Sequence, residues 1–189
     1  SDVIVDLADC HVLRPRITAA LPLLRRIVAA GYRRIGFVGT HMPEDHRARK
    51  RLVGFEEGLA AAGVPLEARE YYQGGSSLLK GRELTERILT RAPNLDFLYY
   101  SNDMIGAGGL LYCLDRNYDI PNRIGLAGFN GVDLLDGLPV RLTTTDARRV
   151  EIGRRAARLV AGKDALPENR IVEMVPTFMP GQTIRDTLS

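Results

Sequence analysis

The sequence predicts an α/β protein built on a doubly wound parallel sheet. Short apolar runs of strand length alternate along the chain with segments in which apolar residues recur every three or four positions, as they do in helices. The clearest unit covers residues 95–130, where an apolar strand, a helix and a second apolar strand follow one another. Both strands are apolar throughout, which is typical of parallel strands that are buried on both faces. Polar residues follow the two strands, at 101–103 and at Asn130, and open α/β sheets bind ligands at such carboxyl ends.

The elements that precede this unit follow the same alternation. Residues 3–7 are a candidate strand, and residues 17–30 form a predicted helix in which Pro22 disfavours the first turn. Further along come a strand over 33–39, a helix over 47–62, a strand over 69–72 and a helix over 78–90. Gly31 and Gly63 follow two of the helices, as glycines at helix C-termini commonly do.

Beyond residue 130 the pattern becomes less regular. Residues 131–139 are predicted to form a loop, and residues 140–145 are largely β-branched and therefore extended. A last strand is predicted at residues 171–175. Between residues 145 and 171, intervals of three and four residues predict an amphipathic helix with these side chains on one face: Val150, Gly153, Ala157 and Val160.

Composition and charge exclude several classes of protein. The 189 residues are 45% hydrophobic and 26% charged, with a formal charge of +3, as in an ordinary globular domain. The arginines are scattered and no basic run is interleaved with aromatic residues, so nucleic-acid binding by this chain is not predicted. The longest apolar run, residues 104–114, is about half as long as a membrane span, so no membrane partner is expected. Two cysteines, one of them within that run, favour a reducing, cytoplasmic setting.

Catalysis and metal binding have no support in the sequence. The three histidines are not spaced as metal ligands, and neither Cys-x-x-Cys nor His-Glu-x-x-His occurs. A Gly-x-Ser-x-Gly nucleophile elbow and a dinucleotide-binding fingerprint are also absent from the sequence. We therefore expect a protein that is not an enzyme and that uses no cofactor and no metal.

Five segments of the chain carry a recognisable pattern. They are Gly-Tyr-Arg-Arg-Ile-Gly-Phe-Val-Gly at 31–39, Arg-Leu-Val-Gly-Phe at 51–55, Ser-Asn-Asp-Met at 101–104, Ile-Pro at 120–121 with Gly-Phe-Asn at 128–130, and Leu-Thr-Thr at 142–144. In this order and spacing they resemble signature segments of the lactose/galactose-repressor family of bacterial transcription regulators. The resemblance covers residues 17–162. It implies the fold of a sugar-binding periplasmic protein of the two-subdomain type, with the effector in the cleft between two α/β subdomains.

The resemblance also implies how the chain divides. Residues 34–130 and 170–180 are expected in the distal subdomain, and residues 1–30 and 146–162 are expected to be remnants of the proximal one. The family's core has further elements ahead of residue 17, so the domain is expected to be truncated at its N-terminus. Operator DNA is expected to bind only through a helix-turn-helix headpiece that this chain lacks.

The same resemblance assigns three effector-binding residues at the sheet edge, each with a structural alternative. Arg51 matches a guanidinium that reaches into the cleft, where its planar donors suit sugar hydroxyls or a carboxylate; otherwise it is a solvated helix residue. Asn102 matches an effector-binding amide, with a helix cap as the alternative and Asp103 as the other candidate for that cap. Asn130 stands where the family usually has an aspartate. This exchange favours an acidic ligand, and the alternative is a plain turn residue.

Two further candidates lie in loops. Ser76 falls where several family members have an aromatic residue that stacks on the ligand. Its glycine-rich loop either binds an anion at the following helix N-terminus or only caps that helix. Asp45 is a candidate for the mouth of the cleft, with a surface loop as the alternative. Ala147 matches a position that is polar in some members, and an alanine cannot make that contact.

The helix around residues 104–114 predicts a homodimer. It has no charged residue on any face, and a sheet covers only one side of a helix. Its glycines each cost about 1 kcal/mol relative to alanine, which is explained if another backbone comes close. The residues expected at the dimer interface, in this or the neighbouring helical phase, are Met104, Ile105, Gly109 and Tyr112, together with Leu134 and Leu138.

Together these features predict the effector-sensing and dimerisation domain of a bacterial transcriptional repressor that responds to a small carbohydrate or sugar acid. The alternative is a solute-binding protein of a sugar transport system, which shares the fold. A phosphosugar enzyme is a third possibility and rests only on the Gly-Gly-Ser-Ser loop at residues 74–77.

Overall fold

A four-stranded parallel sheet lies at the centre of the structure. The computed structural model describes residues 5–7, 10–13, 21–40, 46–165, 168 and 171–186. In chain order the elements are β1 (Val5–Leu7), β2 (Cys10–Leu13), α1 (Leu21–Ala29), β3 (Ile35–Thr40), α2 (His46–Ala61), β4 (Leu66–Tyr72), α3 (Leu78–Arg91), β5 (Phe97–Tyr100), α4 (Asp103–Asp115), β6 (Gly125–Ala127), a 3₁₀ helix (Asp133–Gly137), β7 (Thr144–Asp146), α5 (Arg149–Val160), β8 (Ile171–Glu173) and β9 (Thr177–Met179).

The central sheet has the strand order β4-β3-β5-β6, and each neighbouring pair is parallel. The chain therefore returns across the sheet through a helix after each strand, as parallel pairing requires. This topology confirms the predicted α/β class with a doubly wound parallel sheet. It also brings the carboxyl ends of all four strands to one edge.

Helices cover both faces of the central sheet. On one face α3 and α4 form the core, and on the other α1 and α2 do so. The inward face of α2 contains Ala48, Phe55 and Leu59, which are buried. Phe55 stacks on Tyr99 of β5 with ring centroids 4.3 Å apart. Each large buried side chain of this kind stabilises the fold by about 1.5–3 kcal/mol.

Helix α1 packs against the central sheet. Leu23, Leu24 and Ile27 share a buried cluster with Phe37 of β3 and Phe97 of β5. The resemblance implies that residues 1–30 belong to the proximal subdomain. The apolar side chains of α1, however, pack on β3 and β5 of the central sheet. The helix begins at Leu21, so Pro22 lies in its first turn, where a missing backbone N–H is tolerated.

Two small sheets accompany the central one, and parallel bridges between Ala127 and Thr143 and between Asn130 and Asp146 join the second of them to the end of β6. In the first, β1 pairs antiparallel with β2, and β2 pairs parallel with β8. In the second, β7 pairs antiparallel with β9. Within the segment 170–180 that is predicted for the distal subdomain, β8 pairs with β2 and β9 pairs with β7. Residues 3–4 and 14–20 of the predicted early elements lie outside the described residues.

The apolar helix α4 is covered on its second side by α3 of the same chain. A Cβ built on Gly108 would overlap the carbonyl oxygen of Leu78 and lie 2.9 Å from the Cα of Gly81. A Cβ on Gly81 would in turn lie 2.9 Å from the Cα of Gly108 and overlap the Ile105 carbonyl oxygen. The two helices thus touch backbone to backbone at these glycines, a contact that we call the α3–α4 seam. It explains why α4 is apolar on all sides.

The structure contradicts part of the predicted dimer interface. Ile105 has no exposed surface within this single chain. Gly109 is buried, and a Cβ there would run into the side chains of Tyr100 and Thr85. Tyr112 is only 8% exposed. None of the three can face a second copy without separating α4 from its own core, because α3 already provides the cover that the sequence did not reveal.

The buried face of α5 also differs from the prediction. Ile152, Ala156 and Leu159 are buried, and two of them cluster with Met174. The four residues predicted to face inward are exposed, and the valines among them are each 68% exposed: Val150, Gly153, Ala157 and Val160. Both sets have helical spacing, and the isoleucine and leucine form the more apolar of the two.

Other differences concern element ends. β4 begins three residues before the predicted strand, and part of the predicted loop after residue 130 forms the 3₁₀ helix.

The described helices include none long and apolar enough to cross a membrane.

Gly108→Ala is expected to lower the free energy of unfolding by about 1–3 kcal/mol, because the added methyl group forces the α3 and α4 backbones apart. Gly153→Ala is a matched control on the exposed face of α5, where a Cβ meets nothing within 4 Å. It should raise the free energy of unfolding by about 0.5–1 kcal/mol. Urea unfolding followed by circular dichroism measures both changes. A neutral or stabilising Gly108→Ala would contradict the seam.

Candidate functional site

The carboxyl edge of the central sheet gathers the polar residues predicted to bind a ligand. Asn102 follows β5 and Asn130 follows β6, so the two amides lie after neighbouring parallel strands. Tyr72 is the last residue of β4. Arg51 lies on α2, which begins after β3.

Asn102 is both a helix cap and a residue of this edge. Its Oδ1 accepts a hydrogen bond from the backbone N–H of Ile105 at 3.1 Å, which makes it the N-cap of α4. Its Nδ2 donates to the hydroxyl of Tyr72 at 2.6 Å. The amide nitrogen has two hydrogens, so one donor is left for a ligand. The capping alternative is thus correct for Asn102, and the suggestion that Asp103 supplies the cap is wrong.

Asp103 instead accepts hydrogen bonds from the far side of the edge. Its side chain has no exposed surface. Oδ2 accepts from the backbone N–H groups of Gly131 and Val132 at 2.7 and 3.1 Å. Oδ1 accepts from the hydroxyl of Thr144 at 2.6 Å. Burial raises the pKa of Asp103, and these three hydrogen bonds lower it in part.

Asn130 lies in a backbone conformation that few residues adopt. Its φ is +129°, in a region where asparagine is enriched among non-glycine residues. Its N–H donates to the carbonyl of Thr145, and its carbonyl accepts from the N–H of Ala147, both along the chain that leads into and out of β7. The side chain remains half-buried at the edge. The turn alternative and the ligand alternative are therefore compatible.

Arg51 is half-buried, with its guanidinium over the ring of Phe129 at 4.7 Å from the centroid. Burial raises the pKa of Tyr99 to about 12, and the positive charge of Arg51 opposes that rise. Arg51 thus directs its charge toward the sheet edge, next to the residue that precedes Asn130. The solvated-helix alternative does not fit this position.

The glycine-rich loop before α3 is organised around a lysine. Lys80 Nζ donates to the carbonyl oxygens of Gln73 and Gly75 at 2.8 and 2.7 Å, and Ser77 caps α3 through the N–H of Lys80. The loop therefore turns two carbonyl oxygens toward a cation, which is the opposite of an anion cradle. Ser76 is exposed in this loop. The loop-and-cap alternative fits this arrangement, in which Ser77 provides the cap of α3.

Two residues of the edge were given no role in the sequence analysis, and a third, Ser101, was noted there only as a polar residue after the strand. Tyr72 contacts the amide of Asn102, and Phe129 supports Arg51. The buried hydroxyl of Ser101 has no hydrogen-bond partner among the described residues. Tyr72 could have been found from its position at the carboxyl end of a strand. Asp45 lies outside the described residues.

A groove of about 950 Å³ opens beside the turn at Asn130. Its lining contains both acidic and basic side chains: Gly131, Asp133, Asp146, Arg148, Arg149, Val150, Glu151, Arg154, Thr177 and Met179. Asp146 forms a β-bridge with Asn130, so the groove continues from the sheet edge toward α5. No cluster of His, Cys, Asp and Glu suited to a metal occurs within the described part of the chain.

A family model for the periplasmic binding protein-like domain matches residues 24–184. The chain belongs to this family. The HTH-type transcriptional regulator GntR of Pseudomonas aeruginosa is 34% identical over 143 residues, which are 73% of this chain and 41% of the relative. GalR of Escherichia coli is 30% identical over 182 residues, which are 95% of this chain and 51% of the relative. The chain thus spans about half the length of these curated relatives.

A crystal structure gives a similar result. A LacI family transcriptional regulator from Silicibacter pomeroyi has a TM-score of 0.87 and 52% identity, covering 94% of this chain and 54% of that chain. The predicted resemblance to the lactose/galactose-repressor family is therefore confirmed, as is the periplasmic-binding-protein-like fold.

The raised pKa of Asp103 predicts a pH-dependent difference from an Asp103→Asn variant. Because the folded-state pKa lies above the ordinary value, the folded protein binds more protons than the unfolded chain between the two values. The contribution of Asp103 to stability is therefore full below its ordinary pKa and lost as the pH rises through the folded-state value. As the pH rises above the ordinary pKa of 3.8, the difference in free energy of unfolding should shift in favour of the asparagine variant. Urea titrations of both proteins test this, and a difference that stays constant would contradict it.

Proposed function

We propose that this chain is the effector-binding and dimerisation domain of a bacterial transcriptional repressor that responds to a small carbohydrate or sugar acid. The observation that supports the proposal is the carboxyl edge of the sheet, where Asn102 and Asn130 follow neighbouring strands and the guanidinium of Arg51 lies over the ring of Phe129. This is the position in which open α/β sheets bind ligands. The regulators to which the chain is similar support the same class.

The chemistry of these residues suits a polyhydroxylated ligand with a negative charge. An amide can donate to and accept from a hydroxyl group, and a guanidinium binds a carboxylate through two parallel hydrogen bonds. Asn130 is neutral where the family usually has an aspartate, so the edge does not repel an acid there. The fold itself accommodates sugars: a LacI family regulator from Arthrobacter sp. FB24 with a TM-score of 0.78 is in complex with lactose.

The effector acts by favouring one arrangement of two subdomains. The central sheet forms the distal subdomain, and the small sheet of β1, β2 and β8 with α5 belongs to the proximal one. A ligand shifts this equilibrium only by its differential affinity for the two arrangements. In the whole protein, the shift changes the spacing of paired headpieces on operator DNA. The chain itself has no catalytic role in this proposal.

A solute-binding protein of a sugar transport system is the second candidate, since it has the same fold. The relatives named above are transcriptional regulators, which favours the first candidate. A helix-turn-helix ahead of this domain would support the regulator, and a secretory leader would support the transport protein.

A thermal-shift screen of aldoses, aldonates and sugar phosphates tests the ligand class, because a ligand that binds only the folded state raises the melting temperature. We expect an aldonate to give the largest rise. Arg51→Ala should weaken its binding about tenfold to hundredfold, the equivalent of one charge-assisted hydrogen bond of roughly 1.5–3 kcal/mol. Isothermal titration calorimetry measures this change. Arg116→Ala, which removes a guanidinium paired with Glu86 on the outer surface, is the matched control and should bind normally.

Asn102→Asp separates ligand binding from capping within the same test. The aspartate keeps the acceptor for the N–H of Ile105, so stability should change by no more than about 0.5 kcal/mol. It loses the amide donor and adds a negative charge, so aldonate binding should be lost. Unchanged affinity in both Arg51→Ala and Asn102→Asp would show that the ligand binds elsewhere.

The proposed homodimer uses the outward part of α4 and the 3₁₀ helix. Once the buried residues are set aside, Met104, Leu111 and Leu138 are half-buried and Leu134 is 37% exposed. The 3₁₀ helix packs beside α4, so these apolar side chains share one side of the domain. A second copy would remove them from water.

Leu134→Glu is expected to shift the chain from dimer to monomer, because a carboxylate would be buried without a partner at the interface. Leu79→Glu is the control, since Leu79 is 64% exposed on α3 and lies outside the proposed interface. Sedimentation equilibrium distinguishes the two. A wild-type chain that is monomeric at micromolar concentration would rule out this dimer.

A further inference from the structure

Asp103 contacts the backbone on both sides of Asn130. Its own N–H donates to the carbonyl of Phe129 at 3.0 Å. Its carboxylate accepts from the N–H of Gly131 at 2.7 Å and from that of Val132 at 3.1 Å. Asn130 is the residue between these contacts. One residue of α4 therefore fixes the chain immediately before and immediately after it.

The same residue follows Asn102 directly in the chain. The cap of α4 holds the side chain of Asn102 through the N–H of Ile105, and Asp103 begins the helix. The two amides proposed to bind the effector are thus connected through a single residue, by a peptide bond on one side and by hydrogen bonds on the other.

The local sequence fits this contact closely. A Cβ on Gly128 would overlap Oδ1 of Asp103, so a glycine is needed for the carboxylate to reach its partners. Gly131 has φ +67°, a conformation that glycine adopts freely. Asn130 itself has a positive φ, and such backbone persists only where its surroundings determine it.

Capping does not explain the carboxylate. Asn102 already caps α4, and Asp103 has no exposed surface through which it could be hydrated. A buried carboxylate is unfavourable unless several donors compensate it, whereas an apolar side chain would fill the same space without that need. The three donors come from two other segments, the turn after β6 and the strand β7.

We propose that Asp103 is a positioning residue that sets the spacing of the two effector-binding amides, Asn102 and Asn130. The inference rests on the proposed effector site and adds a residue that does not touch the ligand. Without its carboxylate, the turn that carries Asn130 loses two hydrogen bonds and the amide departs from the geometry that the ligand requires. Displacements of about 0.5 Å are enough to weaken a site of this kind.

The test compares three variants of the 189-residue chain with the wild type, using D-gluconate and D-glucose as acidic and neutral probes. Asp103→Ala should weaken the binding of whichever probe the wild type binds by about tenfold or more. Asp103→Asn keeps an oxygen that can accept from Gly131 and Val132, and it should restore most of the affinity. Thr144→Val removes only the hydroxyl bond to Oδ1, so its affinity should stay within about twofold of the wild type.

A control with a remote defect separates positioning from general loss of stability. Ile88→Ala creates a cavity in the α3 core, away from the sheet edge, and should lower the melting temperature without changing affinity in titrations performed well below it. Hydrogen exchange at Gly131 and Val132 should become faster in Asp103→Ala and remain slow in Ile88→Ala.

The outcomes are distinct for the two proposals. If the wild type binds neither probe, the proposed ligand class and this inference both fail. If the wild type binds a probe and Asp103→Ala binds it equally well, only the inference is overturned. The inference is also overturned if Ile88→Ala and Asp103→Ala lose the same affinity for the same fall in melting temperature, because loss of stability would then explain both. If Asp103→Ala does not fold, an affinity of Asp103→Asn no better than that of Arg51→Ala overturns it.

Discussion

The buried carboxylate of Asp103 is the interaction on which the candidate site depends. It joins the first turn of α4 to the turn after β6 and to β7, three segments that are distant in sequence. A carboxylate that is removed from water must be compensated by several hydrogen bonds. Separating these three segments would leave the buried charge without its donors, at a large cost in free energy. The two amides at the sheet edge inherit their positions from this arrangement. The site is therefore built into the fold rather than carried on a free loop.

The parallel sheet explains why few residues are needed to form the candidate site. Strands β4, β3, β5 and β6 end at the same edge, where Tyr72 ends β4, Asn102 follows β5 and Asn130 follows β6. Helix α2 adds a guanidinium supported by the ring of Phe129. The strand β7 then connects this edge to the groove and to α5. The sheet edge is thus physically connected to α5, because Asn130 forms a bridge with Asp146 and Asp146 lines the groove beside α5.

The sequence was sufficient for the fold class and for the position of Asn102 and Asn130 after neighbouring strands, because apolar periodicity and strand ends are local signals. The sequence was insufficient where the buried face of a helix depends on which other helix or strand packs against it. The apolar helix α4 suggested a second protein chain, whereas the cover is α3 of the same chain. Two faces of α5 have helical spacing, and only packing against Met174 decides between them. Asp103 and Asn102 are both good caps in sequence, and the turn at Gly131 decides which of them remains for that role.

The backbone contact at the α3–α4 seam is expected to make the two helices move as one rigid unit. Side chains between packed helices can change rotamer and absorb a small shift, but two backbones in contact at Gly81 and Gly108 have nothing that can adjust. A displacement at the start of α4, where the amide cap lies, therefore moves α3 as well. The outer surface of that unit can change in sequence without disturbing the ligand edge.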